Sequence, residues 1–351
     1  MDESLKTESE RLARSWLQHD SSWLRDYLVS GVEDPRINLQ SIFTRHFLIR
    51  AISGKQFRDL MEHEYRFCAI MNWLTRLARD ASETEEFEIV LQALRRGLDD
   101  AEGIAIPRFV LQAFGSLPLA LGGRTIPNYI ELFLKGTKLD ERKPRLDLAS
   151  LETFSRLWSE TLDTLRPDKD DPKSKAHSRL SVLEPGCGSA NDYRFLHAFG
   201  LARFLDYVGF DLCSKNVENA RDLFPGIRFD LGNIFEIAAN DNQFDYSFVH
   251  DLFEHLSPEG LNVAIRELCR VTRFGICANF FNMDEMPEHS IQPLEEYYWN
   301  KLSLARVKEL FLEDGFNGQV VHVGTFLRQH VGYAESHNPN AYTFFLWRES
   351  Q

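Results

Sequence analysis

The sequence of 351 residues predicts an α/β fold, with a parallel sheet covered by helices on both faces and an all-α domain in front of it. Three observations carry that expectation. From residue 180 onward, short apolar runs alternate with amphipathic stretches, the pattern of parallel strands joined by crossover helices. The first run ends at Glu184 and enters a small-residue turn, Pro185-Gly186-Cys187-Gly188-Ser189-Ala190, before an amphipathic segment resumes at Tyr193. Residues 1 to 147, by contrast, repeat their apolar positions at helical spacing.

In the first part, Leu5, Leu12, Trp16, Trp23, Leu24 and Tyr27 recur near helical spacing until Gly31 and Pro35 break the pattern. Ile37–Ile52 and Gln56–Arg79 read as strongly amphipathic helices separated by Ser53-Gly54. Ser82 and Glu85 have capping-box spacing and open a further helix. Pro107–Gly123 is apolar and broken by glycine and proline, and Pro127–Lys135 reads as a short helix. Asp147–Leu165 is another helix, and Arg166–Ser178 is a charged, proline-bearing linker. His46, Glu62, His63 and Glu64 invite a metal reading, but no Glu-x-x-His repeat occurs and consecutive residues point to different helix faces. A polar helix face is preferred, with no metal.

In the second part, Tyr207–Asp211 is a second strand, Ser214–Phe224 a helix, and Ile227–Asp230 a third strand. Phe244–His250 is the fourth strand, Pro258–Val271 a helix, Gly275–Phe281 the fifth strand, and Leu304–Asp314 a helix ended by Gly315. Gln319–Val323 and Ala341–Trp347 are the last two strands.

Composition narrows the partners. The formal charge of −13 argues against a nucleic-acid substrate, since phosphate binders present basic faces. The basic run Arg142-Lys143-Pro144-Arg145 reads as a solvated linker. No apolar stretch has membrane-spanning length, and the charged start does not resemble a signal peptide. Cysteines at 68, 187, 213, 269 and 277 form no C-x-x-C pair, which suits free thiols in the cytoplasm.

Strand, glycine turn and helix make a nucleotide-binding crevice at the carboxyl end of a parallel strand. The glycines let backbone N–H groups approach a ligand that a Cβ would obstruct. Asp211 ends the second strand, where a carboxylate can accept from both ribose hydroxyls of an adenosine. Glu184-Pro185-Gly186-Cys187-Gly188 followed by Gly209-Phe210-Asp211 resembles the class I S-adenosylmethionine (SAM) dependent methyltransferases, whose sheet is Rossmann-like and seven-stranded. His250–Leu256 with Arg266–Val271 is similar to the E-H-L … E-L-x-R-V run of bacterial small-molecule methyltransferases. Leu302-Ser303 with Leu310–Phe316 is similar to the segment before their last two strands, so the resemblance covers Leu180 to Trp347. Ala190 replaces the third glycine, Asn233 an aspartate, and Phe274-Gly275 a glycine pair.

The resemblance implies SAM as cofactor and S-adenosylhomocysteine (SAH) as product. It implies a cofactor site of Glu184, Gly186, Cys187, Gly188, Asp211, Leu212, Asn233, Ile234, His250 and Asp251, with the amide oxygen of Asn233 accepting from the adenine amino group. His250, at the end of the fourth strand, is the first candidate base, and it resembles a histidine of aromatic O-methyltransferases that carry a helical dimerisation domain. His255 follows it, and His289 lies on the loop after the fifth strand, a candidate substrate lid. The carboxylate set of metal-dependent catechol methylation and the loop of DNA amino-methylation are both missing. The expected protein has a helical cap or dimerisation domain over residues 1–146 and a methyltransferase domain over 147–351. Its expected reaction is methyl transfer to oxygen or nitrogen of a small organic acceptor. Methylation of a protein side chain and a non-catalytic SAM-binding scaffold are the alternatives.

Overall fold

The computed structural model describes residues 1–17, 39–55, 60–61, 64, 157–158, 160–165, 179–330 and 338–349. The readings of 65–156 and 166–178, the Glu62-His63 pair and the boundary at 147 lie outside the described residues.

Among the described residues nine strands follow in chain order. They are β1 (Leu180–Pro185), β2 (Leu205–Asp211), β3 (Arg228–Leu231), β4 (Phe244–His250), β5 (Thr272–Phe280), β6 (Met283–Asp284), β7 (Leu302–Ser303), β8 (Phe316–His322) and β9 (Tyr342–Arg348). The short β6 and β7 pair with each other, and the other seven form one sheet in the order β3-β2-β1-β4-β5-β9-β8. Only β9 runs against its neighbours, pairing antiparallel with both β5 and β8. The strand order reverses between β1 and β4, so their carboxyl ends splay apart and leave a crevice.

Strand alternation divides the core. Val182, Tyr207, Phe248 and Cys277 face one layer, while Leu183, Phe210, Val249 and Ile276 face the other. The first layer holds α2 (Leu39–Ser53), α3 (Asn191–Ala198), α4 (Ser214–Leu223) and α7 (Val323–His330). The second holds α5 (Pro258–Val271) and α6 (Leu304–Glu313), with Leu5 of α1 (Glu3–Leu17) packed against them. Pro258 opens α5, and Ser257 caps it by accepting from the Gly260 amide.

Two expectations need correction. The helix expected to be amphipathic, α2, is buried around nearly its whole circumference, including Ser41, Thr44 and Arg45. Phe43 and Phe47 pack on Phe345 of β9 with ring centroids 5.5 and 6.3 Å apart, each burial stabilising by about 1.5–3 kcal/mol. On the opposite side the Arg45 guanidinium lies 4.1 Å from the Phe199 ring. The second correction concerns the last strands, which are not joined as a simple hairpin. Val323, expected to end the sixth main strand, instead begins α7, because it and Leu327 are fully buried in the first layer.

Candidate active site

At the end of β1 the chain turns through Gly186, Gly188 and Ala190, with φ of +68°, +54° and +64°. Glycine takes such angles freely, whereas Ala190 bears a strain of about 1–2 kcal/mol. The Gly188 amide donates to Oδ2 of Asp211 over 2.9 Å. Oδ1 of Asp211 accepts from the Cys213 amide at 2.8 Å and from Asn216 Nδ2 at 3.1 Å. Burial pushes the Asp211 carboxyl above its usual range, and these donors pull against it. The acid after β2 is thereby held against the glycine turn, with Leu212 half-buried beside it.

Glu184 is buried and accepts the hydroxyl hydrogen of Tyr207. Burial first, then the nearby Asp192, hold its carboxyl well above the ordinary value. Tyr207 reaches Glu184 past Gly209, where an added Cβ would stand 2.6 Å from the Tyr207 hydroxyl oxygen. Burial likewise raises Cys187 well above an ordinary thiol, which leaves it un-ionised. Leu252 lies against Gly186, 3.4 Å from the position of an added Cβ.

At the other end of the crevice, Asn233 Oδ1 accepts from the Phe235 amide at 3.0 Å while its Nδ2 donates to Ser9 Oγ of α1 at 2.8 Å. Ile234 is buried in the second layer. Glu8 of α1 accepts from the Ser257 amide at 2.7 Å, placing a carboxylate at the α5 N-terminus. No sequence signal connected α1 to this region, because the partners are more than two hundred residues apart.

The three candidate histidines have different surroundings. His250 is sealed: Nδ1 is 2.9 Å from Asp192, and Nε2 is 2.7 Å from Thr44 Oγ1. Behind Thr44, Asn279 Nδ2 donates to the threonine oxygen at 3.0 Å, and Asn279 Oδ1 accepts from Thr343 at 2.6 Å. Ser41 adds a donor to Asp192 at 3.1 Å. Burial opposes charge on His250, but Asp192 outweighs it and the imidazole pKa is raised. His289 Nδ1 accepts from the Ser303 amide at 2.9 Å, and burial lowers its pKa. His255 donates from Nδ1 to the Tyr298 carbonyl at 3.1 Å, and burial lowers its pKa too. Asp251, between the first two, is exposed and held at φ +46°.

Thr44, Ser41, Asp192, Asn279 and Thr343 escaped the sequence reading, since ordinary polar residues on four elements meet only when α2 packs on the sheet. The metal candidates resolve differently: the Glu64 carboxylate is taken by the Arg45 guanidinium and by His46 Nε2 at 2.7 Å. Among the described residues no cluster of three His, Cys, Asp or Glu forms a metal site, and no helix is long and apolar enough to cross a membrane.

The glycine turn tied to Asp211 falls within the stretch that matches a known family: residues 182–275 match the methyltransferase domain. This stretch of the chain is a methyltransferase domain. The match spans β1 to the start of β5, which contains the cradle, the acid and two of the candidate histidines. No curated protein sequence matches the chain. Among solved structures, it is similar to a SAM-dependent methyltransferase from Methanosarcina mazei at 14% identity, over 50% of this chain and 94% of that one, with a TM-score of 0.39. It is also similar to magnesium protoporphyrin IX methyltransferase from Synechocystis with bound SAM, at 15% identity over 49% and 72% of the two chains, TM-score 0.36. The [4+2]-cyclase SpnF is similar at 14% identity over 64% and 93%, TM-score 0.38.

Proposed function

We propose that this methyltransferase moves the SAM methyl group to oxygen or nitrogen of a small organic acceptor and releases SAH. The observation that carries the reading is the cradle in which the Gly188 amide is tied to the Asp211 carboxylate at the mouth of the β1–β4 crevice. The turn Gly186-Cys187-Gly188, whose Cys187 and Gly188 amides donate to the Phe210 carbonyl and to Asp211, borders the amino-acid end of the cofactor. Asp211 with Leu212 receives the ribose, and Asn233 with Ile234 borders the adenine. Bound SAM supplies an electrophilic methyl on a sulfonium. The chain then has to hold an acceptor in line with it, and such positioning alone removes roughly 7–11 kcal/mol of a barrier.

Three further points belong to the same proposal. Residues 1–146 act as cap or dimerisation surface for 147–351, the protein works in the cytoplasm, and its acceptor is not nucleic acid. The burial of α2 against β9, and of Ser9 and Glu8 against Asn233 and Ser257, supports a helical region that completes the crevice. Calorimetry with SAH, followed by assay of SAH release across a panel of small acceptors, tests the reading. Binding with acceptor-dependent release is expected; absence of SAH binding overturns it.

A further inference from the structure

We infer that the acceptor is a planar aromatic alcohol seated on the aromatic wall around His255, and that His255 Nε2 takes its proton. This rests on the methyl-transfer reading above and names its acceptor class and base.

A carbonyl oxygen only accepts, so the 3.1 Å contact to Tyr298 places the hydrogen on Nδ1 and the lone pair on Nε2. Among the described residues Nε2 has no partner. The other two histidines lack that freedom, since both His250 nitrogens are engaged and His289 uses its lone pair on the Ser303 amide. Burial lowers the His255 pKa, which keeps the ring neutral and able to accept at neutral pH. The titratable groups around it are Tyr297 on the covering loop and Glu254 on its own turn, whose carboxyl is raised to about 8 by burial and Asp251.

His255 ends the short 3-10 turn Phe253–His255, which follows Leu252, the residue lying on Gly186 of the cofactor cradle. The loop that covers this turn is pinned to it by backbone bonds, Tyr298 N to His255 O at 3.2 Å and Asn300 N to Glu254 O at 2.9 Å. The loop and the end of β5 present rings: Phe281, which follows β5, and Tyr297 and Trp299 of the loop stand 5.6, 5.6 and 5.5 Å from the imidazole centroid. Trp299 remains 41% exposed, with Ile291 and Leu294 each at 40% on the same loop. An aromatic wall of rings tilted 37–69° to the imidazole, with one neutral acceptor nitrogen, suits an aromatic ring that carries a hydroxyl and packs edge-to-face against them. Among the described residues the rings against His255 carry no cation for an acceptor rich in phosphate or carboxylate, and Lys301 of the same loop faces Asp284 at 3.7 Å.

The step balances. The phenolic oxygen forms its bond to the methyl carbon as the sulfur–carbon bond breaks, and the O–H proton passes to Nε2. The sulfonium charge is thereby exchanged for an imidazolium, which returns its proton to water.

The test uses the full chain with SAM, and 1-naphthol and 7-hydroxycoumarin as phenol probes against 1-naphthylamine and a lysine-containing peptide. Methylated phenol is expected, with kcat/KM rising with pH up to a pKa below about 6.5 and flat above it. His255→Gln should lower kcat by roughly 10²–10⁴-fold and abolish the rising limb, with SAH affinity unchanged. Trp299→Ala should weaken calorimetric binding of 1-naphthol to the SAH-loaded protein at least tenfold. Full turnover in His255→Gln, methylation of the amine or peptide alone, or failure to methylate any phenol overturns the inference. If those failures occur while SAH still binds, the methyl-transfer reading stands; if SAH does not bind, both fall.

Discussion

His250 and His255 stand five residues apart at the same end of the sheet, and their surroundings are opposite. His250 lies at the seam between α2 and the sheet, with both nitrogens engaged inside a network that runs through Thr44, Asn279 and Thr343. His255 lies under a loop, with one nitrogen engaged and one open, among rings that remain partly exposed. One imidazole therefore fastens a helix, and the other is free to meet a ligand. The general point is that residue type near a strand end does not assign a role; the number of unsatisfied lone pairs does.

Removing the first histidine should produce the largest effect. His250→Ala leaves Asp192 buried beside an empty partner position and should cost about 3–5 kcal/mol in urea unfolding. His255→Gln should cost about 1 kcal/mol, as at an ordinary half-buried position. Equal losses would dissolve the comparison.

Glu254 belongs to the open side, and its Oε2 is buried without a partner. Its carboxyl titrates near 4.5 when unfolded and at about 8 when folded. Between those values the unfolded chain releases a proton that the folded chain keeps, so stability falls as pH rises, by about 1.4 kcal/mol per unit. From pH 5 to 7 the loss should be about 2–3 kcal/mol, and Glu254→Gln should flatten it. A variant with an unaltered slope would place the titration elsewhere.

Next in size, Asp211→Ala should weaken SAH binding by about 1.5–3 kcal/mol, roughly ten- to a hundredfold, in calorimetry. An unchanged dissociation constant would detach the cradle from the cofactor. Smaller again, Ala190→Gly relieves a left-handed backbone and should raise unfolding stability by under about 1 kcal/mol, since glycine also gains freedom when unfolded.

The finest discrimination is an NMR titration of the two histidines, expected on opposite sides of about 6.5. His250, raised by Asp192, contributes stability below that value and loses it as pH rises through its folded pKa. His255, lowered by burial, contributes stability above about 6.5 and loses it as pH falls toward its folded pKa. Coincident titrations would mean that the two sites are not distinct.

Much of the sheet was legible in the sequence because local rules govern it. Phe244–His250 and Pro258–Val271 keep the bounds their patterns predict, since one is a run of strand formers and the other opens on a Ser-Pro cap. The glycine turn was legible for a related reason: a backbone at positive φ restricts residue type, and the restriction is written at the alternate positions 186, 188 and 190. The burial of α2 was not legible. Ser41, Thr44 and Arg45 look like a polar face until Glu64, nineteen residues on, and Asp192 and His250, from distant parts of the chain, arrive to satisfy them.

The sequence by itself determined the order of the seven main strands, the cradle and the acid that meets it, because those depend on spacing within one strand–turn–helix unit and its neighbour. Only the tertiary structure decided which histidine is sealed and which is open. That outcome depends on α2 and the 290–301 loop settling on the same end of the sheet from opposite ends of the chain. Hydrogen-bond saturation is a property of what packs around a group, and no local pattern encodes it.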